Sequence, residues 1–326
     1  MSYTVLVTGA GGFIGGHLIA QLSALGVHIR ALDIMPAPPN LPPNVEWISG
    51  SILDRKALET AMRGARHVYH MAAVTHLGVP QTARYEQVNH VGTRNVIMLA
   101  KMLGVEHLLI TSTEVILRGW KDDNPAPLTE TDPLPDMGDM AGPYCRSKLA
   151  AEILAREAMA SGQPISILYP TVPIGAGDVN MTAPSAMIKA FIDKPPPAYL
   201  DCSLNFVPAR DVAHAHILAA QKPAGGRYIL GGDDVEMSDF LTMLAPMSAK
   251  AMPKKAVPYV LAALTAYIST GMAKITGKAP LASLEGVRLA KHKTKISNIH
   301  AKQALSWQTT PVKFALERSV NWLKNI

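Results

Sequence analysis

The chain has 326 residues, 48% of them hydrophobic and 17% charged, with a mean hydropathy of +0.13, which fits a soluble globular enzyme of one large α/β domain or two lobes. Two cysteines, Cys145 and Cys202, exclude a disulfide framework and point to a reducing cytoplasm. The net charge of +6 conceals an asymmetry: residues 250–326 carry eleven Lys and two Arg against Glu285 and Glu317, a net of +11.

That basic segment reads first as a lysine-covered surface, and second as a face attracted to an anion, whether a phosphorylated substrate or a membrane. It shows no nucleic-acid-binding motif, so no nucleic-acid partner is expected. No metal-ligand spacing is present either, and no signal peptide is expected, because residues 1–12 already read as strand and nucleotide loop.

The first element is "TVLVTGAGGFIG", residues 4–15. Val5, Leu6 and Val7 form a continuous apolar run typical of a strand buried on both faces. From Phe13 the pattern turns helical, with Ile14, Leu18, Leu22 and Leu25 recurring until Gly26. Between them, Gly9, Gly12 and Gly15 form a Gly-x-x-Gly-x-x-Gly turn that can hold a pyrophosphate against the helix amino terminus. A second strand, "VHIRALD", ends in Asp33, 24 residues beyond Gly9. A carboxylate there accepts from both hydroxyls of an adenosine ribose and repels a 2′-phosphate, so NAD is expected over NADP. Arg30 is read as a solvated cation.

After a proline-rich loop, "VEWISG" reads as the third strand, "DRKALETAMRG" as a short amphipathic helix and "HVYHMAA" as the fourth strand. "YEQVNHVGTRNVIMLAKMLG" reads as a long helix, "VEHLLITST" as the fifth strand, "YCRSKLAAEILAREAMASG" as a helix and "ISILYP" as the sixth strand. Strands alternating with helices predict an α/β fold, a Rossmann-type doubly wound parallel sheet, with a smaller and mostly helical C-terminal lobe. The nucleotide domain is expected over 1–170 and 205–232, and the substrate lobe over 171–204 and 233–326, with the ligand in the cleft between them. Within the lobe, residues 256–273 carry no charge over 18 residues and lie between lysines. A buried helix is ranked first there, an interfacial helix or greasy lid second, and a membrane span last.

Two segments carry chemistry. "GPYCRSK" places Tyr144 and Lys148 four apart on one helix face. "ITSTEV" puts Thr111, Ser112 and Thr113 at the carboxyl end of the fifth strand, where ligands sit in such sheets. A neighbouring ammonium and a nicotinamide cation would both lower the phenol from its ordinary value near ~10. A hydroxyl from Thr113 or Ser112 would then hold the substrate oxygen that exchanges a proton with Tyr144.

With TGAGGFIG, Asp33, "HMAA" (70–73), "NHVGTRN" (89–95), "TST" (111–113), Tyr144-x-x-x-Lys148 and "YPTVPIGAGD" (169–178) in order, the chain resembles the extended short-chain dehydrogenases/reductases of the NAD-dependent epimerase/dehydratase family. It is most similar there to the branch of hopanoid-associated sugar epimerases, beside dihydroflavonol reductases and 3β-hydroxysteroid dehydrogenases. The resemblance implies Thr113 as the hydroxyl residue, Tyr144 as general acid/base and Lys148 as the ribose-binding lysine. It implies cofactor contacts from Gly9, Gly12, Phe13, Ile14, Gly15, Asp33, Ser51, Ile52, Ala72, Ala73, Thr111, Pro170 and Val172. A homodimer is also implied. Where related nucleotide-sugar epimerases have a pyrophosphate-gripping arginine, this chain has Leu204, which leans the expected substrate toward a lipophilic ketone or alcohol.

His70 is read as a satisfied core histidine, Cys145 as structural, Asp211 as a helix brace, and Met137, Met140 and Met181 as neighbours of the substrate. The alternatives are a sugar epimerase that retains its NAD, and a non-catalytic NAD-binding assembly or sensor protein. Peripheral membrane contact is expected, if anywhere, through 254–278.

Overall fold

The computed structural model describes residues 3–78, 81–276 and 283–326. Its strands, in chain order, are β1 (Thr4–Thr8), β2 (His28–Asp33), β3 (Val45–Ser49), β4 (His67–His70), β5 (His107–Thr111), β6 (Ile165–Pro170), β7 (Val172–Ile174), β8 (Tyr199–Leu200), β9 (Ser203–Pro208), β10 (Arg227–Leu230), β11 (Asp233–Glu236) and β12 (Ala256–Val257). The helices are α1 (Phe13–Ala24), α2 (Arg55–Met62), α3 (Ala83–Tyr85), α4 (Thr93–Met102), α5 (Pro143–Ala160), α6 (Ala183–Asp193), α7 (Ala209–Ala220), α8 (Met237–Leu244), α9 (Tyr259–Thr276), α10 (Leu284–Leu289), α11 (Ile299–Leu305) and α12 (Val312–Leu323).

Seven strands form one parallel sheet in the order β10-β6-β5-β4-β1-β2-β3. Alternate residues of β1 face opposite layers. Leu6 packs toward α2, α4 and α5 through Leu58, Val96 and Leu149, while Val5 and Val7 pack toward α1, α7 and α11 through Leu18, Val212 and Leu305. Both faces are thus covered, as the unbroken apolar runs of the strands require. The winding reverses between β1 and β4, and a crevice opens at their carboxyl ends.

The long helix expected after β4 is one helical run from Ala83 to Met102, with a π-helical stretch over Glu86–Gly92 between α3 and α4. The wider turn carries Asn89, which accepts from Val74 N and donates to Ser147 Oγ at 2.9 Å, tying the loop after β4 to α5.

A second, three-stranded sheet, β11-β9-β7, packs with α6, α8 and α12 around Phe206 and Phe240. The boundary expected at 205 falls inside β9, so residues 203–208 belong to this smaller sheet and the chain returns to the large one through α7 and β10. The loop after β7 reaches α1 and the glycine turn: His17 Nε2 donates to Ala176 O at 3.0 Å, and Asn180 Nδ2 to Gly11 O at 3.4 Å. Asp211 braces α7 to the chain after α11, its Oδ2 accepting from Thr310 N at 2.6 Å.

The segment 256–273 departs from its first-ranked reading. α9 turns its small residues Ala266 and Ala273 inward and leaves Val260, Leu261, Leu264, Tyr267 and Ile268 exposed, so it is not a buried helix. Among the described residues no helix is long and apolar enough to cross a membrane. Positions 277 and 278 of the basic-flanked stretch lie outside the described residues.

Candidate active site

The glycine turn follows directly from steric limits. Gly9 has φ +70°, and a Cβ there would lie 2.6 Å from Ala72 N. A Cβ on Gly15 would lie 2.2 Å from Gly9 O. Neither position admits a side chain. α1 has no side-chain cap and no acid in its first turn, which leaves its leading N–H groups available to an anion. Asp33 is fixed at the end of β2, Oδ2 accepting from Gly11 N and Oδ1 from Met35 N, each at 2.9 Å. Arg30 does not stand free in solvent: its guanidinium donates to Ala61 O and Arg63 O and pairs with Glu46.

The glycine turn and Asp33, but not Arg30, border a cavity of about 890 Å³ that extends to Ser203, Leu204 and Asn205 of the smaller sheet. Gly9, Gly12, Phe13, Ile14, Gly15 and Asp33 line one end, with Ser51 and Ile52 beside them. Ala72, Ala73, Thr111, Pro170 and Val172 line the middle, and Thr113, Tyr144 and Lys148 the floor. An uncapped helix start, two glycines that cannot carry a Cβ and a carboxylate beside the turn suit a dinucleotide with free ribose hydroxyls.

On the floor, Lys148 Nζ donates to Thr111 O at 2.8 Å. Burial brings the Lys148 ammonium down to about 8, against the opposing pull of Glu152. The Thr113 hydroxyl donates to Glu114 Oε2 at 3.1 Å and stands beside the Tyr144 phenol, where it favours phenolate. Burial raises the Glu114 carboxyl to about 7, with Thr113 and the backbone N–H groups of Glu114 and Val115 acting the other way. The Tyr85 ring meets the Tyr144 ring edge-on, with centroids 6.1 Å apart.

The expected lowering of Tyr144 is not supplied by the protein. Burial raises the phenol well above its ordinary value, Cys145, Glu114 and Glu285 add to this, and only the Thr113 hydrogen bond opposes them. Both hydroxyls of the pair donate to buried carboxylates, Ser112 to Glu152 Oε2 at 2.9 Å and Thr113 to Glu114 Oε2, and of the two it is Thr113 that acts on the Tyr144 phenol. Thr111 turns its hydroxyl to His216 Nε2 at 2.9 Å, while His216 Nδ1 donates to Val212 O. His70 is fully paired, its Nδ1 accepting from Thr8 and its Nε2 donating to Thr93, and burial lowers it to about 3. Burial, followed by Glu285, pushes the Cys145 thiol well above its usual range. Met137, Met140 and Met181 do not border the cavity; Met35, Met71 and Met187 do.

Three features escaped the sequence reading. Glu114 directly follows the hydroxyl run, a position that could have drawn attention to it. Glu285 caps α5 from 140 residues away, accepting from Cys145 N at 2.8 Å, and nothing local announces this. At the far wall the Arg288 guanidinium stacks over Trp120 at 4.7 Å and donates to Ala141 O, and Arg118 donates to Asn124 O and Ala126 O.

A family model described as "NAD dependent epimerase/dehydratase family" matches residues 5–231. Over its whole length the chain is 30% identical to a Synechocystis protein named "Putative dihydroflavonol 4-reductase", covering 96% of it. It is 25% identical to "Sterol demethylase protein B" of Methylococcus capsulatus, covering 98% of each chain. Among solved structures, gox2253 superposes with a TM-score of 0.83 at 28% identity, covering 99% of this chain and 98% of that one. The NAD complex of Thermus thermophilus UDP-glucose 4-epimerase superposes at 0.77 and 23% identity, covering 98% and 99%, a likeness of fold. With the matched region spanning the glycine turn, Asp33 and the Tyr144–Lys148 helix, the chain belongs to the NAD dependent epimerase/dehydratase family, in its extended short-chain dehydrogenase/reductase branch, whose cofactor is NAD.

Proposed function

We propose that the protein is an NAD-dependent oxidoreductase acting on a secondary alcohol or ketone of a lipophilic substrate, steroid-, isoprenoid- or flavonol-like, with Tyr144 as general acid/base. The observation that carries this reading is that Tyr144, Thr113, Glu114 and Lys148 line the same cavity as the apolar side chains Val74, Leu77, Leu128, Leu204 and Ile296. Leu204 takes the place where nucleotide-sugar epimerases resembling this chain carry an arginine. Arg118 and Arg288 are already committed to backbone carbonyls of the protein. Of the three arginines that line the cavity only Arg84 is exposed, so a doubly charged diphosphate would have to reach that side chain or break those contacts to gain a bidentate partner.

When bound, NAD supplies the carbon that gives or takes hydride and, in its oxidised form, a positive ring charge. The remaining work falls to side chains. Thr113 holds the substrate oxygen by turning its hydroxyl from Glu114 Oε2 to the substrate. Tyr144 gives that oxygen a proton as the carbonyl is reduced, or removes one as the alcohol is oxidised. Lys148, whose Nζ donates to Thr111 O, would hold a ribose hydroxyl of the bound cofactor. Asp33 selects NAD through its two fixed oxygens. The lobe formed by 171–204 and 233–326 excludes water from above, with its boundary moved to include all of β9.

The test is NADH consumption with a panel of lipophilic ketones, alongside calorimetric NAD binding. Turnover that disappears in Tyr144→Phe is the expected result. Intact NAD binding with no NADH consumption, together with copurified cofactor and interconversion of sugar epimers, would overturn the reading in favour of a retained-cofactor epimerase.

A further inference from the structure

α9 is built inside out for a helix of a water-soluble domain. Two of its four alanines, Ala266 and Ala273, are buried, while Val260 is 78% and Tyr267 69% exposed. Leu261, Leu264 and Ile268 are more than half exposed as well. At about 100° per residue these five positions fall within one sector of roughly 120°, so they form a continuous apolar stripe over the first three turns. Isolated apolar side chains on a surface need no explanation, but a stripe of this kind marks a contact.

Charge says what the contact is. No Asp or Glu occurs from Phe240 to Leu284. Lys250, Lys254 and Lys255 are all exposed just before the helix. Lys255 is held close to it, because Tyr199 N donates to Lys255 O at 3.0 Å where β12 pairs with β8. An acid-free apolar helix entered through exposed lysines complements a bilayer surface that carries anionic headgroups. It complements a second copy of itself poorly, because two such faces would bring like charges together.

We propose that α9 is an interfacial helix that seats this face of the protein on an anionic membrane, its apolar stripe at the headgroup–acyl boundary and its lysines among the headgroups. The helix that carries the stripe adjoins the site through its opposite face. α9 packs against α10, Leu284 N donates to Thr270 Oγ1 at 3.2 Å, and Gly286 and Leu289 of α10 line the cavity. Resting on the lipophilic reading of the substrate, this arrangement lets a bilayer-dissolved molecule reach the cavity beside α10.

Vesicle flotation of the full chain with NAD, and without substrate, tests the docking separately from the chemistry. The expected result is flotation with vesicles containing phosphatidylglycerol, and binding about tenfold weaker to phosphatidylcholine alone or in high salt. Two variants, Leu261→Ser/Leu264→Ser/Ile268→Ser and Lys254→Glu/Lys255→Glu, should lose flotation while keeping NAD affinity and melting temperature, since all five side chains are exposed. Absence of flotation at low salt would overturn the proposal. So would a dimer in sedimentation that the triple variant dissolves, since the stripe would then be covered by a second copy. Failure of the ketone panel with flotation intact would strike only the substrate reading.

Discussion

Glu285 reaches across the fold to close the amino terminus of the helix that carries Tyr144: its Oε1 accepts from Cys145 N at 2.8 Å, and its Oε2 from Tyr144 N at 3.3 Å. α5 has no cap of its own, because its N-cap is Gly142, where a Cβ would lie 2.5 Å from the Glu285 carboxyl carbon. A carboxylate at a helix start satisfies orphan N–H groups and meets the positive end of the dipole. Glu285→Ala is predicted to cost about 1–2 kcal/mol of stability. It should also lower kcat more than it raises the KM for NADH, because the phenol loses its support while the glycine turn does not. Glu285→Gln, which still accepts, should recover part of both. Melting curves and steady-state kinetics on the two variants check this.

Tyr144→Phe removes one oxygen from a packed ring and leaves its edge contact with Tyr85 in place. Turnover should fall by about 10²–10⁴, the contribution of a positioned general acid/base. NAD affinity and melting temperature should stay near wild type. A variant with unchanged turnover would remove Tyr144 from the chemistry altogether.

Asp33 offers a test of cofactor choice. Both its oxygens are anchored by backbone N–H groups of Gly11 and Met35, so the carboxylate is already placed before a ribose arrives. Asp33→Ala should weaken NAD by about 10- to 100-fold, the loss of charge-assisted hydrogen bonding of roughly 1.5–3 kcal/mol. NADP should bind better than before, because the repulsion of its 2′-phosphate is gone. Calorimetry with both cofactors decides. Equal losses for the two would mean that Asp33 only shapes the loop.

Much of this site can be read in the chain because its chemistry is local. The glycine turn, Asp33 and the Tyr144–Lys148 pair are each set by short spacings, and all of them border one cavity. What could not be read depends on distance or on solvent. Ser112 and Thr113 are equivalent as letters, and only the carboxylates they meet in the fold, Glu152 and Glu114, tell them apart. Glu285 is an ordinary acid until α10 folds onto α5. The uncharged stretch 256–273 suggested burial by composition. Whether its alanines or its larger side chains face inward is decided by how closely α10 approaches, since small residues allow tight helix contact.

Buried titratable groups predict how stability follows pH. Burial lowers His70 to about 3, and His107 and His216 each to about 4, from an ordinary value of 6.5. In each case the unfolded chain binds the proton first, so stability is full above 6.5 and is lost as pH falls toward 4. By pH 5 the loss should be about 2 kcal/mol per histidine. Glu114 acts with the opposite sign. Its carboxyl is raised from 4.5 to about 7, so the folded state holds the proton longer and stability declines as pH rises between those values. Glu114→Gln, which can still accept from Thr113, removes that penalty. It should raise the melting temperature above pH 7, by the equivalent of at most about 3 kcal/mol, and change little below pH 4.5. The same variant should narrow the alkaline side of the pH–rate profile if the carboxyl supports the Thr113–Tyr144 contact during turnover. Melting curves across pH on wild type and variant separate the two signs. A variant that melts like wild type at every pH would mean that Glu114 is already ionised in the folded protein.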